Sequence, residues 1–371
     1  MLNMSSLRAY AFLALAAASS LFTGLQAQTP EEVAAFNVEN LYGSPRYVGM
    51  GGAFTSLGSD LSGLTLNPAG VSVFKYNQID LNLDYTLNRD QLGPFYGRRQ
   101  EANSSRTSLG NLGLAVPFQA GDGELKNWGF GITYQRQGNF NRNYRIQGQE
   151  ENDFTLGEFW GESSANENIN DITKDAELAW QAFLLVDRVT PGGDTVIRDA
   201  NASYAFGDLD TNTGNVTSSS IVDYELRQLG NSSTLDIAFG GNYEQKLFYG
   251  ISLNCPRVNY TREEFITEFI QQQDAAPYNA TQYTYRRRSD LSATGFNLKL
   301  GLIYVPLPEI RIGASYQSPT WYSVEQTYEF EIQGQFNAPP FPDVRTNTFS
   351  EINSSNRYTY ALRQPAVYRV G

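Results

Sequence analysis

Few residues in this chain could carry out covalent chemistry. The sequence contains no histidine and a single cysteine, Cys255. Ser-His-Asp catalysis, Cys-His catalysis and histidine-ligated zinc are therefore excluded, and one cysteine can form neither an intramolecular disulfide nor a multi-cysteine metal site. Cys255 lies in a strand-like run, so we expect an inert packed thiol, because a reactive thiol needs a tuned environment. We expect neither an enzyme nor a bound metal or cofactor.

One glycine-rich stretch has a spacing that raises the possibility of a phosphate-binding loop. Residues 47–70 read YVGMGGAFTSLGSDLSGLTLNPAG. Gly49, Gly51 and Gly52 would begin a G-x-G-x-x-G pattern, but position 54 is Phe, and no Lys-Ser or Lys-Thr pair follows to complete a Walker loop. No apolar strand precedes the stretch, as a dinucleotide-binding turn requires. These departures argue against nucleotide binding.

The same stretch suits a compact plug. Its glycines permit tight folding with close backbone approach, and Ser59 or Asp60 can cap a short helical turn. Asn67-Pro68 favours a turn in which the Asn side chain bonds nearby backbone. The segment carries little charge and precedes the first strand. We therefore expect residues 28–74 to fill the interior of the structure that the strands form.

Composition and the N-terminus indicate an exported protein. Aromatic residues make up 13% of the chain, yet long apolar runs are scarce, and the net charge of −12 argues against non-specific nucleic-acid binding. Residues 1–27 have the features of an export signal, with Arg8, a short apolar run over 9–21 and a small-residue cleavage site ending at Ala27. No later run approaches the ~20 apolar residues of a transmembrane helix.

Period-two alternation predicts that the elements that hold the plug are β-strands. In residues 79–85, IDLNLDY, apolar and polar side chains alternate, and several later segments repeat the pattern. The expected fold class is all-β, with about eight strands. The predicted strands are 76–87, 108–118, 127–140, 234–244, 247–260, 290–305, 309–333 and 357–370.

The connections between these strands alternate between long and short. The long ones are 88–107, 141–232, 261–288 and 334–355. Brief turns at one end and extended loops at the other are typical of an antiparallel transmembrane β-barrel, whereas a soluble sandwich commonly mixes loop lengths at both ends. Aromatic residues near the ends of the apolar faces fit an interfacial girdle. We predict a barrel domain over 75–371, with a soluble secreted β-protein as the alternative.

The longest predicted loop contains an amphipathic segment. Residues 171–187 could form a short helix with an apolar face. On an outer loop this face could capture a hydrophobic ligand, and the alternative is that it packs against the barrel rim. The candidate capture residues are Leu178, Trp180, Phe183 and Leu184.

The glycine-rich stretch resembles the N-terminal hatch of the FadL-type outer-membrane transporters of long-chain fatty acids and other hydrophobic molecules. The resemblance is carried by GMGGAF at 49–54, by Asp60 and by the Asn-Pro-Ala motif at 67–69, and residues 309–319 look like a barrel strand of that family. It covers most of the mature chain. It implies a fourteen-stranded barrel, a lumenal hatch and a lateral opening in the wall. The hatch candidates are Gly49, Gly51, Gly52, Asp60, Asn67, Pro68 and Ala69.

Two functions are compatible with this resemblance. The first is passive uptake of hydrophobic molecules across the bacterial outer membrane, by outer-loop capture, lumenal binding and hatch rearrangement. The second is a barrel of the same superfamily that serves a secretion system as a shuttle or anchor for exported proteins. We expect the bilayer and a hydrophobic small molecule as partners, no nucleic acid, and a monomer. The chain still alternates at Gly371, so we also expect a C-terminal truncation with further strands beyond it.

Overall fold

A computed structural model gives the fold of two compact units, Met1–Val38 and Glu39–Gly371. Only Ala35 and Phe36 of the first unit are described, so the expected export signal lies outside the described residues, as does the hatch prediction for 28–34 and 37–40. The described residues are 35–36, 41–95, 98–120, 123–151, 156–197, 219–271, 280–336 and 348–371.

Antiparallel strands dominate the second unit, which confirms the all-β expectation. Among the described residues, eleven strands form one sheet, and β5 and β6 form a separate hairpin. The bounds are β1 Gln78–Phe95, β2 Arg98–Gln119, β3 Leu125–Asn139, β4 Arg142–Glu151, β5 Asp187–Val189, β6 Thr195–Ile197, β7 Ser219–Tyr243, β8 Leu247–Gln271, β9 Ala280–Leu307, β10 Ile310–Gln317, β11 Thr320–Phe336, β12 Thr348–Gln364 and β13 Val367–Val370.

The eleven strands of the main sheet occupy eight positions side by side, which we call lanes. Three of the lanes are each made of two shorter strands placed end to end. In the first of these lanes, β3 and β4 pair with successive parts of β7. In the second, β10 and β11 pair with successive parts of β9. In the third, β13 pairs with β10 and β12 pairs with β11. Two interruptions, at 318–319 and 365–366, contain a proline, which cannot donate to a ladder. The eight lanes correspond to the eight predicted strands. Within the described ranges, β1 pairs with β2 alone.

The strands extend well beyond their predicted bounds. β8 runs to Gln271 and β9 begins at Ala280, so only 272–279 separate them. The added lengths lack the exposed apolar face of the lower part, because charged residues that pair across strands, such as Arg286 and Glu263, take its place. The predicted loops that prove too long for this reason are 88–107, 141–232, 261–288 and 334–355.

Helices are few and short. Within the described part of the chain, no helix is long and apolar enough to cross a membrane. The predicted helix over 171–187 is confirmed in part, since it is shorter and ends before Phe183, whose φ of 60° lies outside the helical range. In the described part of the second unit, the helices are α1 Pro45–Gly49, α2 Leu156–Ser163 and α3 Lys174–Gln181, with two 3-10 helices at Ser62–Thr65 and Pro68–Val73.

The two faces of the main sheet differ in polarity. We call the face that packs against residues 41–74 the inner face, and the opposite one the outer face. The lower zone is the part of the sheet at the level of β7 residues 231–243. There the outer face is apolar and exposed, as at Phe239, Ile251 and Leu300, which are 49%, 46% and 52% exposed. The inner face of the same zone carries glycines and buried polar side chains.

The polarity reverses in the upper zone, at the level of β7 residues 219–230. Its outer face carries ion pairs, with Arg286 bonded to Glu263 at 2.7 Å and to Glu331 at 3.0 Å. Its inner face carries aromatic and aliphatic side chains that form one core with α2 and α3, including the buried Tyr283 and Ile332. The outer face of the sheet is therefore apolar in the lower zone, whereas the inner face is apolar in the upper zone.

Candidate functional site

Residues 41–74, which we call the plug, are organised around Asp60. This carboxylate is 3% exposed. It accepts hydrogen bonds from the Ser44 hydroxyl at 2.7 Å and the Ser62 backbone N–H at 2.9 Å. Ser44 also caps α1 by accepting from the backbone N–H of Tyr47 at 3.0 Å. Asp60 thus ties the start of α1 to the first 3-10 helix, because a buried carboxylate needs such donors.

Asn67 joins the plug to the sheet. Its Oδ1 accepts from the Ala69 backbone N–H at 3.0 Å and so caps the second 3-10 helix, in which Pro68 occupies the first turn. Its Nδ2 donates to the carbonyl of Thr55 at 2.6 Å within the plug and to that of Leu302 on β9 at 3.1 Å. The predicted Asn-Pro turn is confirmed, and its amide also satisfies a strand carbonyl.

Two of the three glycines that the sequence singled out form a tight turn after α1. Gly51 and Gly52 have φ values of 62° and 73°, a left-handed conformation that glycine adopts without strain. Gly49 lies at the end of α1, and a Cβ placed there would meet no atom within 4 Å. Two of the three predicted glycines are therefore required by the backbone, and the third is not.

A row of four wall glycines, which we call the glycine row, receives the plug. Gly129, Gly240, Gly250 and Gly301 are paired directly across β3, β7, β8 and β9. A Cβ at Gly301 would overlap Asn67 Oδ1, one at Gly250 would lie 2.5 Å from the Pro68 carbonyl carbon, and one at Gly129 would lie 2.7 Å from the Val71 carbonyl oxygen. The second 3-10 helix can therefore reach the wall only because these positions lack side chains.

Sequence reasoning missed the glycine row, although a signal for it was present. Gly240 and Gly250 stand at matching distances from the turn between β7 and β8, and both fall on the polar register of their strands. Glycine inside a strand often marks a close backbone approach. Matching the glycines across the hairpin would have identified this part of the seat.

A buried ion pair provides a second link between plug and wall. The Lys299 ammonium donates to the Thr65 carbonyl at 2.8 Å and to Asp236 Oδ1 at 3.1 Å, and the two side chains are 3% and 0% exposed. The Asn254 amide also donates to Asp236 Oδ1, at 2.6 Å. The pairing compensates both charges, as burial requires. At this position the inner face is therefore polar but carries no net charge.

The helices α2 and α3 pack against the inner face of the upper zone. Leu178 and Leu184 are 2% and 0% exposed and belong to the core with Tyr283 and Ile332, while Trp180 and Phe183 pack partly buried against that core. Leu178 and Leu184 therefore offer no exposed surface in this structure, and the helix face packs against the sheet. This matches the alternative interpretation of the sequence.

Polar contacts anchor these helices to the sheet. Glu268 on β8 accepts from the backbone N–H of Leu156 at the start of α2, at 3.0 Å. In α3, burial raises the pKa of the Asp175 carboxyl, while a hydrogen bond from Tyr285 and the nearby Arg287 partly offset it. Burial, with the neighbouring Asp175 charge, also raises the pKa of Tyr285. Asp175 is therefore a charge-sensitive contact between α3 and β9.

No family model matches this chain, and neither the curated proteins nor the solved structures contain a match. The fold defines the protein as a mainly antiparallel β protein. Its candidate functional site is the plug with the glycine row and the Lys299–Asp236 pair that hold it.

Proposed function

We propose that this protein is an outer-membrane channel for hydrophobic molecules such as long-chain fatty acids, with the plug as its movable hatch. The observation that carries the proposal is the lower zone of the sheet, where the outer face is apolar and exposed and the plug packs against a polar inner face. A soluble sandwich buries its apolar face, whereas a wall in lipid must expose it.

The height of the apolar band supports a membrane location. On β7 the outward positions run from Leu235 to Tyr243, and on β9 from Phe296 to Tyr304, nine residues in each strand. Strands of about nine to eleven residues cross a bilayer when tilted. Tyr243 and Tyr304 end the band below, as expected for aromatic residues at an interface. In this proposal the lanes belong to a closed barrel of the fourteen-stranded kind, because a closed barrel leaves no strand edge in lipid.

The chemistry of the plug contacts supports a movable hatch. The plug is held to the wall by hydrogen bonds from Asn67, Lys299 and Arg311, the last reaching the Leu57 carbonyl at 2.7 Å. Each such bond contributes about 0.5–3 kcal/mol in proteins, with bonds from charged donors at the upper end. A ligand that bound the inner wall could displace a few of them without breaking a strand ladder.

The test is uptake of a labelled long-chain fatty acid by cells that carry the full chain in their outer membrane. The informative variants are a deletion of residues 41–74 and the substitution Asn67→Ala. The control is Gly49→Ala, a substitution in the same segment whose added methyl group would contact no other atom. We expect both variants to change the uptake rate while the protein still shows heat-modifiable gel migration, and the control to match the original chain. Unchanged uptake in the deletion variant would rule out the hatch.

A further inference from the structure

The outer face carries arginines of two kinds. Four of them lie high on the sheet, and each forms an ion pair with a carboxylate. Examples are Arg227 with Glu225 at 2.7 Å and Arg357 with Glu325 at 2.6 Å. Arg257 on β8 and Arg363 on β12 have no carboxylate partner among the described residues. The six outer-face arginines of β7, β8, β9 and β12 are Arg227, Arg257, Arg286, Arg288, Arg357 and Arg363.

The two arginines without a carboxylate partner are also the two closest to the apolar band. Arg363 pairs in register with Trp321, and its guanidinium lies 5.9 Å from the centre of that ring. Arg257 pairs with Thr294, and Thr294 pairs with Ser323 on β11. Two exposed hydroxyl groups therefore lie between the lanes of the two guanidiniums, immediately above the aromatic pair of Phe296 and Trp321.

Little negative charge competes at this position. The nearest outward carboxylate on β11 is Glu325, two residues above Ser323, and Arg357 neutralises it. The net effect is a cationic patch, comprising Arg257, Arg363, Thr294 and Ser323, at the upper edge of the apolar band. We call it the rim patch.

An apolar groove lies below the rim patch in the same lanes. It encloses about 550 Å³ between β7 and β13, within the size range of ligand pockets. Leu300 lines the groove on β9, and Thr294 stands six residues earlier on the same strand, about 20 Å away at the rise of a strand. The groove is lined by Phe239, Tyr249, Ile251, Leu300, Leu302 and Tyr368, with part of the glycine row as its floor.

We propose that the rim patch and the groove bind one anionic membrane lipid. Arg257 and Arg363 pair with phosphate in the lipid headgroup, Thr294 and Ser323 donate hydrogen bonds to it, and an acyl chain follows the wall down into the groove. The proposal rests on the membrane location argued above. It adds a lipid site on the outer wall that is separate from the plug.

The test compares lipids retained by the full chain after reconstitution into vesicles of phosphatidylcholine and phosphatidylglycerol in equal amounts. Native mass spectrometry after gentle detergent extraction gives the ratio of the two bound lipids. We expect enrichment of phosphatidylglycerol, and a loss of about fivefold in that ratio for each of Arg257→Gln and Arg363→Gln, the effect of one arginine near an anionic surface. The control combines Glu325→Gln with Arg357→Gln, because this change removes a neutral ion pair from the same face above the patch and leaves the local net charge as it was.

Two further measurements test whether the site binds a lipid or only a free anion. Ala314→Trp fills the groove, where Ala314 is a lining residue, and should lower total lipid retention with the arginines intact. Inorganic phosphate added to the vesicles should displace none of the bound lipid. The proposal is overturned if a variant that combines Arg257→Gln with Arg363→Gln keeps the original ratio, if the control that combines Glu325→Gln with Arg357→Gln lowers the ratio equally, or if free phosphate releases the lipid.

Membrane insertion is measured on the same samples by heat-modifiable gel migration. If the original chain does not insert, the proposed function fails and the lipid site with it. If the chain and its variants insert normally but show no lipid preference, only the lipid site is wrong.

Discussion

At the scale of single residues, the polar side chains of the interior act as connectors. Asn67 caps a 3-10 helix with its oxygen and satisfies carbonyls of the plug and of β9 with its nitrogen. Asp60 collects two donors within the plug, and Lys299 joins Thr65 to Asp236. Because a buried polar group without a partner is destabilising by about 1–3 kcal/mol, the position of each residue is set by its partners.

Asp175 provides a residue-scale prediction about pH. Burial raises the pKa of this carboxyl in the folded protein, so the folded state binds its proton more tightly than the unfolded state does. The protonated Asp175 therefore contributes to the free energy of unfolding at a pH below the ordinary pKa of an aspartate. This contribution is lost as the pH rises through the raised pKa of the folded state. We expect Asp175→Asn to raise the thermal unfolding midpoint at pH 7 and to leave it unchanged at about pH 4.

Differential scanning calorimetry at the two pH values checks this expectation. Asp171→Asn is the control, because Asp171 is exposed and lies just before the same helix. The interpretation fails if Asp175→Asn lowers the midpoint at pH 7, or if the control behaves in the same way.

At the scale of elements, the fit between one 3-10 helix and one glycine row positions the plug. Pro68–Val73 contacts β3, β7, β8 and β9, and the wall at that level has no side chains in its way. The turn formed by Gly51 and Gly52 and the cap formed by Asn67 shape the plug, but only the row decides how closely it approaches.

Adding a methyl group to the row should displace the plug. We expect Gly301→Ala to destabilise the plugged state by about 1–3 kcal/mol, the usual effect of overpacking, because its Cβ would overlap the Asn67 side chain. Gly49→Ala adds the same group in open space and should have no such effect. Protease cleavage within residues 41–74, followed on membrane preparations, measures the difference. Equal cleavage of the two variants would show that the row does not seat the plug.

At the scale of the whole molecule, one sheet has two opposite amphipathic patterns along its height. The lower zone exposes leucine, isoleucine and phenylalanine, and the upper zone exposes arginine and glutamate. The proposed membrane location explains this reversal, because the lower zone would face lipid and the upper zone water. α2 and α3 then cover the inner aromatic surface of the upper zone.

A charge placed in the band should distinguish the two zones. Leu300→Lys puts a cation on the outer face in the middle of the apolar band, and we expect it to destabilise the inserted protein by about 2–4 kcal/mol. Ser292→Lys puts the same charge on the same face of β9 above the band and should be nearly neutral. Urea unfolding in vesicles measures both. A similar loss for the two variants would contradict the assignment of the band to lipid.

Much of this architecture could be predicted from local patterns. Alternation such as that of residues 79–85 identified every lane, because strands with one apolar face repeat with a period of two. Strand ends were predicted poorly, since β8 and β9 continue through residues such as Glu263 and Arg286 that pair with each other across strands. No period in one strand reveals a partner that lies in another.

The sequence by itself determined the all-β class, the lane count and the local shape of the plug, because these depend on residues close together in the chain. Gly51, Gly52 and the Asn67-Pro68 pair act within a few residues of themselves. Only the tertiary structure decided that the glycine row lies under the plug, that Lys299 meets Asp236, and that Leu178 and Leu184 are buried. Those outcomes depend on the register between strands and on what packs against each face, which are set when distant parts of the chain meet.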